Sequence, residues 1–71
     1  MQRQAVESGN IRSIGHDPAT NTLEVEFKHG GVYQYPSCGA DLCERFLTAP
    51  SKGAFFGKHI KNLPFRKVEA P

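Results

Sequence analysis

Residues 22–28 read T-L-E-V-E-F-K, with Leu23, Val25 and Phe27 alternating against Glu24, Glu26 and Lys28. A period of two over this length specifies a strand buried on one face and wet on the other. His29-Gly30-Gly31 then turns the chain into Val32-Tyr33-Gln34-Tyr35, so the segment predicts a β-hairpin. Loop length decides where the tyrosines point. A three-residue loop pairs Lys28 with Val32, Phe27 with Tyr33 and Val25 with Tyr35, which puts both rings on the apolar face. A two-residue loop would set them opposite Glu26 and Glu24. The longer loop is favoured, because its left-handed position wants glycine and two glycines are available. Upstream, Ile11 to His16 is a further strand candidate whose apolar members, Ile11 and Ile14, have an odd spacing that calls for a bulge or a one-sided edge. Asp17-Pro18-Ala19-Thr20-Asn21 between the two strands reads as a turn, with Pro18 presetting φ and Asn21 tolerating the left-handed region.

After the hairpin the period changes. Ser37 is expected to cap a helix carrying Cys38, Leu42, Cys43, Phe46, Leu47 and Ala49 as an apolar stripe, with Asp41 and Glu44 toward its positive end. Ala49-Pro50 stops it. Ser51 caps a second helix reaching about Asn62, on which Phe56 and Ile60 lie four apart and Lys58 and Lys61 three apart, so apolar and basic faces separate. Pro64 ends that helix, and Phe65 to Val68 is extended, either adding an edge strand or tucking into the core. The expected fold is α+β: a three-stranded antiparallel β-meander packed against two C-terminal helices. Residues 1–8 are expected to be a flexible lead-in, 9–68 the domain and 69–71 a short tail.

A chain of 71 residues buries only about 60% of the surface its unfolded form exposes, which leaves little room for a large catalytic cleft. Hydrophobic residues at 38% and charged residues at 23% suit a folded soluble domain rather than a disordered one. No apolar run approaches the ~20 residues of a membrane span, and Met-Gln-Arg-Gln-Ala lacks the apolar stretch of a signal peptide. A cytoplasmic location and no membrane partner are expected. Cys38 and Cys43, five apart on the expected helix, diverge too far for a disulfide, and with His16, His29 and His59 scattered singly neither metal nor cofactor is expected. The nearest thing to a nucleophile and base is Cys38 or Cys43 with His59. Thiolates are disfavoured on an apolar stripe, so no enzyme is expected.

Charge is distributed unevenly. Residues 51–71 hold five cations against one carboxylate, a net +4, while residues 1–50 hold four against six, a net −2. Clustered cations with aromatics between them favour a polyanion. Lys52, Lys58, His59, Lys61, Arg66 and Lys67 are the candidate phosphate contacts, and Tyr33, Tyr35 and Phe55 the candidates for stacking on unpaired bases. Each has a plainer reading: the cations as a solvated face, the tyrosines as core or rim. Two rival functions stand beside nucleic-acid binding. One is a protein-interaction module using Phe55, Phe65 and a strand edge; the other is capture of a small anionic nucleotide at Ser51-Lys52-Gly53.

The order N-I-R-S-I-G-H-D-P-A-T-N-T-L-E-V-E-F-K-H-G-G-V-Y-Q-Y, a short helix, then A-P-S-K-G-A-F-F-G-K-H-I-K resembles the KTSC domain over roughly residues 9–68. The combination D-P-x-T, Y-x-Y (Tyr33-Gln34-Tyr35) and S-K-G carries the resemblance. That family is named for its occurrence at the C-terminus of some lysyl-tRNA synthetases and also occurs as small free-standing bacterial and phage proteins. The resemblance implies a role in RNA binding. Pro36-Ser37-Cys38-Gly39-Ala40 departs from the usual aromatic, Val and Pro before the helix, which bears on where that helix begins.

Overall fold

The alternating segment forms the middle strand of an antiparallel sheet. A computed structural model describes residues 3–6 and 8–68. Its five strands, β1 (Arg3–Ala5), β2 (Ile11–Asp17), β3 (Thr22–Phe27), β4 (Val32–Tyr35) and β5 (Arg66–Val68), lie in the order β1-β2-β3-β4-β5. The α+β class holds, but the sheet has five strands rather than three. Part of the expected lead-in pairs with β2, Arg3 opposite Gly15 and Ala5 opposite Ser13. β1 is R-Q-A and exposed throughout. It has no large apolar side chain and its one apolar residue, Ala5, is exposed, so it is held by ladder hydrogen bonds and by Arg3, whose guanidinium reaches Glu24 at 3.3 Å and Glu26 at 3.8 Å. The extended tail supplies the fifth strand, with Val68 opposite Val32 and Arg66 opposite Gln34.

The odd spacing of Ile11 and Ile14 is absorbed by a register shift between Ile11 and Ser13, so that Ile11 faces Phe27 and Ile14 faces Val25. Asn21 closes the β2–β3 turn at φ 53°. The β3–β4 loop is three residues long, but they are Lys28, His29 and Gly30. Phe27 N–H donates to the Gly31 carbonyl at 2.8 Å, Gly30 N–H donates to Phe27 at 3.0 Å, and Gly30 adopts φ 106°. Val25 therefore meets Tyr33 and Leu23 meets Tyr35, a slip of two residues from the expected pairing. An even slip preserves the face, and both tyrosines remain on the apolar side.

Helix α1 (Ala40–Thr48) starts later than expected, with Gly39 and not Ser37 at its N-cap. Cys38 precedes the helix. Its N–H donates to the Asn21 carbonyl at 3.0 Å, and its own carbonyl accepts from His16 Nε2 at 2.9 Å, so this connection is fastened to the sheet. Helix α2 (Lys52–Phe55) has the expected Ser51 cap, whose hydroxyl accepts from Ala54 N–H. The next five residues, Phe56–Ile60, widen into a π-helical turn in which Lys61 N–H donates to the Phe56 carbonyl at 2.9 Å. Phe46 of α1 and Ile60 of the π turn are fully buried with Ile14, Leu23 and Val25, so the helical segments close one face of the sheet.

The other face is polar. Ser13 Oγ donates to Glu26 at 2.8 Å, Gln34 Nε2 donates to Glu24 at 2.9 Å, and Arg66 Nε donates to Gln34 Oε1 at 3.0 Å. With Arg3 on both glutamates, hydrogen bonds and ion pairs reach across all five strands.

Candidate functional site

On the helical side, aromatic side chains run past the edge of the core and enclose a groove. Phe27 of β3, Tyr33 and Tyr35 of β4, Phe56 of the π turn and Phe65 before β5 form its walls, with His29 and Lys61 completing the lining. Its volume is about 310 Å³. Phe27 stands at 80° to Tyr33 and 81° to Phe56, and Tyr35 stands at 82° to Phe56, all with ring centroids within 5.8 Å. Such edge-to-face contacts hold rings rigidly and present both faces and edges to a ligand. Phe65 is 55% exposed and packs against Tyr33 at 5.6 Å and Tyr35 at 5.8 Å. His29 lies flat on Phe27 at 5.4 Å and 5°. Among the described residues no carboxylate lines the groove, because Glu24 and Glu26 point to the opposite face of the sheet.

Tyr35 is 3% exposed. Its hydroxyl takes no part in the side-chain hydrogen bonds linking the described residues, and none of those residues has a fully buried side-chain polar atom without a partner. Tyr35 is also part of the groove lining. Burial, then the neighbouring Tyr33 and Cys38, pushes this phenol up to about 12. It stays a neutral hydrogen-bond donor and acceptor at any ordinary pH.

The candidate cations do not form one surface. Lys61 lines the groove, and Lys58 is exposed nearby in sequence on the same π turn. Lys67 is exposed opposite Tyr33, on the groove side of β5. Arg66 belongs to the other face, held by Gln34. Lys52 turns back to donate to the Ala49 carbonyl at 3.1 Å, and Ser51 caps Ala54, so Ser51-Lys52-Gly53 spends its polar groups on its own helix start. His59 packs on Phe55 at 4.5 Å, and Phe55 stacks on Phe46 at 5.6 Å with the Arg45 guanidinium 5.9 Å from its ring centroid. Phe55 is therefore a packing residue outside the groove. Of the three stacking candidates Tyr33 and Tyr35 line it; Phe27, Phe56 and Phe65 complete it and were not among them. Cys38 and Cys43 are both buried, and burial raises both thiols.

The fold and groove define a small α+β domain with one face closed by helical segments and an aromatic recess at its rim. The sequence profile of the KTSC domain matches residues 7–65, and the chain belongs to the KTSC domain family. It superposes on the crystal structure of a KTSC domain protein from Yersinia pestis with a TM-score of 0.92 at 42% identity, covering 96% of this chain and 97% of that one. An uncharacterised protein of Stutzerimonas stutzeri is 36% identical over 66 residues, 93% of each chain. A lysine–tRNA ligase of Nostoc sp. is 38% identical over 55 residues, which are 78% of this chain and 10% of the ligase.

Proposed function

We propose that this domain is a non-catalytic binding module for RNA or another nucleic acid, with Lys58, Lys61 and Lys67 contacting phosphates beside the aromatic groove. The observation that carries this reading is the groove itself: rings at its walls, an ammonium at its rim and no carboxylate among its described lining. The ligase relative supports it, since a homologous segment sits within an enzyme named for a transfer RNA. Arg66 and Lys52, occupied elsewhere, drop out of the contact set.

Three phosphate contacts on a single strand give a log–log salt slope of about −2, or roughly a 20-fold loss of affinity for a fourfold rise in salt. Fluorescence polarisation of a labelled RNA against ionic strength measures this. Lys58→Glu with Lys61→Glu should weaken binding and flatten the slope. Affinity that ignores both salt and the double variant would overturn the reading. It would favour instead a protein partner seated on Phe65, the most exposed large apolar side chain among the described residues.

A further inference from the structure

Resting on that reading, we infer that the groove is a pocket for one unpaired base, so that the domain selects single-stranded over duplex nucleic acid and reaches Tyr35 with the edge of the inserted base. The size is the first reason. At about 310 Å³ it stands at the low end of ligand pockets, roughly 300–1,000 Å³, which suits one flat ring system better than a run of stacked bases.

Ring geometry is the second. Phe27, Phe56 and Tyr35 meet in succession at 81° and 82°. A flat ligand lying against one wall is therefore bounded edge-on by the next, which makes a corner rather than a track along a strand. Only a base free of its Watson–Crick partner can enter such a corner.

The third reason is the polar chemistry. Tyr35, 3% exposed and with a hydroxyl that bonds to none of the described side chains, is part of the lining of this recess. A base edge offers it a donor or acceptor. An aliphatic side chain from a protein would cover it and leave it unpaired, at a cost. Lys61 at the mouth stands where the phosphate of an inserted nucleotide leaves the pocket, and an apolar peptide gains nothing from it. Purines and pyrimidines both present a π face, so selection between strands should be strong and selection among bases weak.

The test compares a short single-stranded RNA, the same strand annealed to its complement as a blunt duplex, and a fully abasic strand of the same length, which keeps the phosphates and has no base to insert. Wild-type chain, Phe65→Ala and Tyr35→Phe are titrated against each, with the ring-proton signals of the bound protein recorded. Phe65 is more than half exposed, so its truncation leaves the core intact. Expected are at least a tenfold preference for the single strand, and a loss of roughly 5- to 150-fold in Phe65→Ala, the equivalent of one lost base stack. A smaller loss in Tyr35→Phe and shifts in the Phe and Tyr ring signals should accompany them. Equal affinity for strand and duplex, or wild-type affinity in Phe65→Ala, would overturn the pocket while leaving phosphate binding standing. Absence of binding to any probe would sink both.

Discussion

Tyr35 couples the groove to the core at the scale of one side chain. Its phenol ionises near 10 when unfolded and is pushed up to about 12 in the fold. Below pH 10 both states keep the phenol's proton and its contribution to stability is fully present. Between those values the unfolded chain releases a proton that the folded chain retains, so stability falls as pH rises and levels off above the folded value. The raised Cys38 and Cys43 thiols act in the same direction, beginning in the thiol range. Thermal melts taken across the alkaline range should show the midpoint falling, and Tyr35→Phe should remove part of the fall. An identical alkaline profile in that variant would show that the phenol is not desolvated. Phe46 makes the contrasting case: fully buried and stacked on Phe55, it should cost about 3–5 kcal/mol when changed to Ala, read from urea denaturation.

The β3–β4 loop is where small elements decide the site. Gly30 sits at φ 106°, so Gly30→Ala should lose about 1–2 kcal/mol through backbone strain. A methyl group at Gly31 would instead come within 2.9 Å of His29 Cε1 and 3.0 Å of Tyr33 Cε1. Both rings line the groove. Gly31→Ala should therefore displace those side-chain ends and alter binding more than stability, which parallel melts and titrations would separate. The strict alternation of β3 and the glycine-bearing loop were legible in the sequence, because a period of two and a left-handed position leave plain marks. The start of the loop was not, since Lys28 continues the alternation and nothing local says that it leaves the sheet. β1 was hidden for another reason: Arg3-Gln4-Ala5 has no large apolar member, and the ion-pair partners of Arg3, Glu24 and Glu26, lie some twenty residues away. The groove lay between these extremes. Tyr33 and Tyr35 were placed on the right face, whereas Phe65 joined them only because β5 pairs with β4, a contact between residues distant in the chain. The possible edge strand at residues 65–68 was the signal that could have brought Phe65 to the tyrosines.

Across the whole molecule the sheet separates two chemistries. One side carries the helical cover and the groove; the other carries Ser13, Glu24, Glu26, Gln34, Arg3 and Arg66 in mutual contact. Grouping charges by sequence therefore merged cations that the fold divides, because neighbouring residues of a strand point to opposite faces. Arg66→Ala should reduce RNA affinity far less than Lys61→Ala, and polarisation titrations of the two variants at one salt concentration check it. Equal losses would mean that the strand wraps the sheet edge. The π turn sets one further condition. Relative to an α-helical turn it contains one surplus residue, and removing a residue there would convert the Lys61-to-Phe56 bond into an ordinary α-helical one and leave everything downstream in register. Adding a residue instead would turn the downstream chain by about 100°, and Ile60 could then not remain in the interior while Lys61 stays at the mouth of the recess. Shortening the turn by one, at Gly57, should therefore leave the recess aligned, whereas lengthening it by one should misalign the recess even where every side chain is kept.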